Sequence, residues 1–273
     1  MRVFEITFPG DRPRLASRDE SSEANWILRA MASQLASAAV SLHLFEQADA
    51  AMTAALSSIS SDREQMEAQE GAAIDELLAE AESARGIPLS FEERAIASYQ
   101  LREEGARRAR QKRWAAGVPP ETYRRQAPFT HAAALVHVLD VFDRLLGHLV
   151  ENWKGTHPGL EKVKAAFQTA IPDLKDVRHS LAHIDERLRI EATLGKKTYR
   201  IVGADREIGN LSLTNYRMLV VDRSKKPNEV DRTVPGRVGS IPIVVDTVEA
   251  VRVALQAAID EFQWDGDRRY EPR

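Results

Sequence analysis

Apolar residues recur along this chain with two different periods. Near the N-terminus Phe4, Ile6 and Phe8 alternate with Val3, Glu5 and Thr7, the period of a half-buried strand. Pro9 to Arg18 reads as a loop, and a long helix is predicted to start near Ser21 or Ser22. Its apolar positions are Leu28, Met31, Leu35, Ala38, Leu42, Phe45, Met52, Leu56 and Ile59, with Asp49 as the one break. They step by threes and fours, as on a helix packed lengthwise against others. Asp62 to Ser83 is acidic and helical, and Gly86 and Pro88 end it. Ser90 and Glu93 have the spacing of a capping box, which opens another helix through Ile96, Tyr99 and Leu101 to a basic stretch near Trp114. Gly117, Pro119 and Pro120 break the pattern.

Thr130 to Trp153 is the most apolar helix, carrying Leu135, Val136, Val138, Leu139, Val141, Phe142, Leu145, Leu146, Leu149 and Val150. It is apolar over much of its circumference, so it belongs at the centre of a bundle. A turn at Gly155 to Gly159 and a short helix from Glu161 to Ala170 follow. Pro172 starts a new or kinked helix running to about Arg189. The pattern then changes to short strands at Thr198 to Val202, Leu211 to Leu213, Arg217 to Val221 and Ile241 to Val245. Asp246 and Glu249 are placed to cap a last helix, Val248 to Phe262, and Asp265 to Arg273 reads as an unpacked tail. These elements define a mainly α protein, a helical bundle with long N-terminal helices and a small β-hairpin element near the C-terminus. The expected division is an N-terminal helical region at 1–127, a bundle at 128–264 and a tail at 265–273.

Composition narrows the possibilities. Of 273 residues, 43% are hydrophobic, enough for a real core. Charged residues make up 29%, yet the net charge is only −3, so any polyanion site must be local. There is no cysteine, which excludes disulfides, thiolate zinc sites and a cysteine nucleophile. The alternating N-terminus is not the apolar core of a leader, and no apolar run approaches the ~20 residues of a membrane span. A cytoplasmic protein that does not contact a membrane is the expectation.

The chemistry concentrates in Arg178-His179-Ser180-Leu181-Ala182-His183. On a helical wheel Leu174, Val177, Leu181, Ile184 and Leu188 form one apolar stripe, with Arg178 at its border. His179 and His183 lie one turn apart on the opposite side, and Arg178 and His183 are about 140° apart. Imidazoles can act as base or acid near neutral pH, and a guanidinium grips a phosphate through two parallel donors. Those are the groups that cleavage of an RNA phosphodiester needs: a base for the 2′-hydroxyl, an acid for the leaving oxygen and a cation for the phosphorane.

This motif resembles that of the HEPN superfamily: Arg, a polar residue, three further residues, then His. Arg178, His179 and His183 match it in type and spacing. The context is similar too, since the motif helix follows an apolar bundle helix and precedes a small β region and a final helix. The resemblance covers roughly residues 128 to 264. It implies a HEPN-like bundle and a homodimer whose shared site cleaves RNA with no metal or other cofactor. Arg178 would hold the scissile phosphate, His183 would be general acid or base, and His179 would orient or assist. By the same analogy the protein would be a toxin or defence effector, with an antitoxin as a further partner.

Other readings of the same residues stay open. A solvated helix face accounts for two histidines and an arginine without any activity. The main rival function is a non-catalytic helical interaction module, in which the acidic and basic helices recruit a partner. His179-x-x-x-His183 also has helical metal-ligand spacing, which Glu186 or Asp176 would complete as a metal-dependent hydrolase. Elsewhere Arg107, Arg108, Arg110, Lys112 and Arg113, near Trp114 and Tyr123, form a candidate RNA-backbone patch. The alternative is a solvated face balancing the acidic Asp62 to Glu82 segment. His137 and His148 read as core or interface residues. Asp140 should pair with Arg144 at i,i+4, and Asp140 or Asp143 could orient a motif histidine.

Overall fold

The computed structural model describes residues 1–57, 59–182, 206–208, 211–214, 217–221 and 237–272. The described elements are β1 (Ile6–Phe8), β2 (Arg12–Pro13), α1 (Arg18–Ser57), α2 (Ile59–Arg85), α3 (Phe91–Ala115) and α4 (Glu121–Trp153). They continue as α5 (Gly159–Ala170), α6 (Leu174–Ala182), β3 (Arg206–Ile208), β4 (Leu211–Thr214), β5 (Arg217–Val221) and β6 (Arg237–Pro242), then α7 (Val245–Asp260), β7 (Trp264–Asp265) and β8 (Arg269–Glu271). The protein is mainly α, as expected. None of the described helices is long and apolar enough to cross a membrane.

The chain forms two compact units, Met1–Gln47 with Gln126–Arg273, and Ala48–Arg125. This differs from the expected division at 127/128, because the first strand and the first part of α1 share the core of the C-terminal half. In that unit Phe4, Ile6 and Phe8 are buried with Leu28, Met31, Leu35, Leu42 and Phe45 of α1. The same cluster contains Leu135, Leu139, Phe142, Leu146 and Leu149 of α4, Leu160 and Phe167 of α5, Val177 of α6 and Val251 and Leu255 of α7. The apolar stripes read from the sequence are thus the faces that meet.

Three expectations for this unit are corrected. The tail is packed: β8 pairs antiparallel with β1 (Ile6 opposite Glu271), and β7 pairs with β2 (Arg12 opposite Asp265). Trp264 explains why, because its indole N–H donates to the Ile259 carbonyl at 2.9 Å and its ring meets Phe8 edge-on at 5.5 Å. Arg14 with Asp265, Arg29 with Glu271 and Arg269 with Asp11 add ion pairs along the same seam. The cap expected from Asp246 and Glu249 is not made. α7 begins at Val245, its cap residue is Val244 without a side-chain cap bond, and Glu249 instead takes Arg252 Nη2 at 2.6 Å. The last expected strand lies earlier, at Arg237–Pro242, as the edge of a β3-β4-β5-β6 antiparallel sheet. The expected strand at Thr198 to Val202 falls outside the described residues.

α4 starts at Glu121 rather than near Thr130 and carries the buried Pro128 within it. His137 and His148 are exposed on the chain and so are not core residues, His148 lying 3.9 Å from Glu151. The apolar positions leave one side of α4 outside the core of this chain, and both histidines are on it.

In the second unit α2 and α3 pack against each other and bury Ala73, Leu77, Leu78 and Ala109. The capping box is formed, with Ser90 accepting from Glu93 N–H and Glu93 accepting from Ser90 N–H. Gly86 ends α2 at φ +69, a conformation in which glycine carries no Cβ penalty. Gly105 allows close helix approach, since a Cβ there would lie 2.5 Å from Ile74 Cγ1.

Candidate functional site

The motif begins on α6, and local chemistry sets that helix in place. Pro172 precedes it, and Leu174 and Val177 are buried, the latter completely. Ser240 N–H of β6 donates to Asp173 Oδ2 at 2.7 Å, tying the turn before α6 to the sheet. The helix packs on β4, β5 and β6. Its apolar side therefore faces the core, as the wheel requires.

Arg178 stands at the border of that face, with its side chain 31% exposed. Its Nε lies 3.1 Å from Asp140 Oδ1 on α4. The Nε is sealed from solvent, and the approach is too oblique for a hydrogen bond, so the contact is an ion pair rather than a directed bond. The other carboxylate oxygen, Oδ2, takes Arg144 Nη2 at 2.8 Å, the i,i+4 pair expected from the sequence. Asp140 is the one charged side chain among the buried residues described. The coupling of Asp140 to Arg178 was missed in the sequence because it joins two helices, and no spacing rule reports it.

The backbone of His179 and Ala182 lies on α6. The side chain of His179 and all of His183 and Glu186 lie outside the described residues. Asp176 is exposed in the first turn of α6. Among the described residues no group of three or more His, Asp or Glu side chains is placed to hold a metal ion. Asp143, the other carboxylate considered as an orienting group, accepts from Gln168 Nε2 at 3.3 Å.

The basic stretch lies on α3, where acidic neighbours engage three of the five candidates. Arg107 Nη2 meets Glu104 at 2.7 Å, and Lys112 Nζ meets Glu76 at 2.6 Å. Arg108 forks onto Glu80 of α2 through two bonds of 2.6 and 2.9 Å. The Arg108 bond holds the Glu80 carboxyl below its ordinary range, and the Arg107 bond does the same for Glu104. Arg110 is exposed and Arg113 half-buried. Trp114 and Tyr123 are exposed at 46% and 68%.

Comparison of the chain with models of known families, with curated proteins and with solved structures found no match.

Proposed function

We propose that this chain is a HEPN-like, metal-independent endoribonuclease that works as a homodimer, of the toxin or defence-effector class. The observation that carries the reading is the setting of Arg178. It opens the motif at the edge of a core-facing helix and is held against a buried carboxylate from the central apolar helix. A cation kept in place in that way is already near where a phosphate would bind when substrate arrives. In this reading Arg178 grips the scissile phosphate, His183 exchanges the proton and His179 assists. Arg178 and His183 diverge by about 140° on the helix, so one copy does not aim both at one phosphate. A two-fold partner supplies the missing group, and the small Ala182 permits its approach.

Generic RNA incubated with the purified protein should be cut in the presence of EDTA. The products should end in 2′,3′-cyclic phosphate or the 3′-phosphate derived from it. Activity that EDTA removes and zinc or manganese restores would instead favour the hydrolase that uses His179, His183 and Glu186 as ligands.

One observation favours a second reading, a non-catalytic interaction module. Ile87, in the turn before α3, and Phe91, Ile96 and Tyr99, in its first half, are exposed by 65%, 90%, 61% and 78%. Exposed apolar side chains gathered in one segment are what a protein partner would cover. A folded dimer that leaves RNA intact would move the weight to this reading.

A further inference from the structure

We propose that Asp140 is a positioning residue, holding the Arg178 guanidinium where the substrate phosphate will bind. The inference rests on the nuclease reading above.

The case starts from cost. A carboxylate buried among apolar side chains loses hydration and is kept only where something compensates it. The Asp140 side chain is 10% exposed, and its α4 neighbours Leu139 and Phe142 are fully buried. Arg144, one turn further along, already supplies a countercharge at 2.8 Å. Neutrality is thus met within α4 alone. Arg178 is a second cation on the same carboxylate, so among the described residues two guanidiniums meet one carboxylate there, an excess of one positive charge. A structural ion pair does not need that excess, whereas a site for a phosphodiester does.

The geometry agrees. Arg178 meets Asp140 through Nε, the inner corner of the guanidinium fork. That atom is sealed from solvent, so the 31% exposure of the side chain belongs to its other atoms. An ion pair at Nε keeps the guanidinium beside the carboxylate and leaves the Nη pair for a bidentate phosphate contact. The oblique Nε approach fits a free protein, because such contacts tighten in the complex with substrate.

The test is steady-state RNA cleavage by full-length Asp140→Asn and Asp140→Glu beside wild type and Arg178→Ala, with folding checked by circular dichroism. Asn keeps the shape and removes the charge. It should lower kcat by about ten- to hundredfold while KM changes little, as expected when a reacting cation is misplaced by about 1 Å. Glu keeps the charge and shifts it by one methylene, so its kcat should lie between those of Asn and wild type. A merely structural Asp140 would lower the melting temperature and leave kcat intact at temperatures where the variant is folded. If Arg178→Ala is inactive but folded Asp140→Asn turns over like wild type, the positioning role is overturned and the nuclease reading stands. If Asp140→Asn does not fold, Asp140→Glu decides: reduced kcat supports the role, and wild-type kcat overturns it. A wild-type protein that does not cut RNA overturns the nuclease reading and this inference with it.

Discussion

Arg178→Ala and His183→Ala should each abolish RNA cleavage, with a loss on the order of 10³-fold or more in kcat. Arginine is the only fixed cation of the motif, so nothing else in it meets the charge that develops on the phosphorane. Histidine is the only side chain type in the motif that exchanges a proton near neutral pH. The stability cost should be small beside that loss. Removing Arg178 takes one of two cations from Asp140, and Arg144 stays at 2.8 Å. The carboxylate is thus not left bare, and with Arg178 31% exposed the cost should be about 1–2 kcal/mol. Thermal melts beside single-turnover assays check both halves. An Arg178→Ala protein that cuts RNA at the wild-type rate, or one that is unfolded at room temperature, would contradict this assignment.

The largest stability effect should come from Phe142→Ala. Phe142 is fully buried on α4 and packs on Phe167 of α5 with ring centroids 5.0 Å apart. Its α4 neighbours Leu139 and Leu146 are fully buried too, so little can move in to fill the space. Loss of the ring should cost about 3–5 kcal/mol, the range for emptying an aromatic site in a close-packed core. In a unit of this size each kcal/mol lowers the melting midpoint by about 2–4 °C. Differential scanning calorimetry reads this directly, and a loss below about 1 kcal/mol would mean that α4 and α5 are not packed as described.

Sequence periodicity carried most of the helical fold because each stripe is a local pattern. Phe4, Ile6 and Phe8, the α1 seam from Leu28 to Phe45, the Ser90–Glu93 box and the Leu174–Val177 face are all buried or formed as read. What joins distant segments was not legible. β1 pairs with β8 across almost the whole chain, and β2 is two residues long, too short to show any alternation. The start of α7 carries no side-chain cap, so the sequence signal at Asp246 and Glu249 pointed to the wrong boundary. At the site, the order of Arg178 and its border position on α6 were readable. Asp140 was readable as the partner of Arg144 and as a candidate to orient a motif histidine, but its contact with Arg178 was not, since a carboxylate on an apolar helix gives no sign of which cation reaches it from another element. The five basic candidates on α3 were legible as a cluster, while their acidic partners on α2 depend on how the two helices pack.

The central claim is a nuclease site shared between two copies, and mixing two inactive variants tests it most directly. Arg178→Ala supplies an intact His183, and His183→Ala supplies an intact Arg178. After subunit exchange about half of the dimers are mixed, and each mixed dimer carries one complete composite site, so activity should return to roughly a quarter of wild type. Exchange is followed on the same samples by energy transfer between labelled copies. Recovered cleavage is the expected result. A mixture that exchanges subunits fully and still leaves RNA uncut would contradict the shared site.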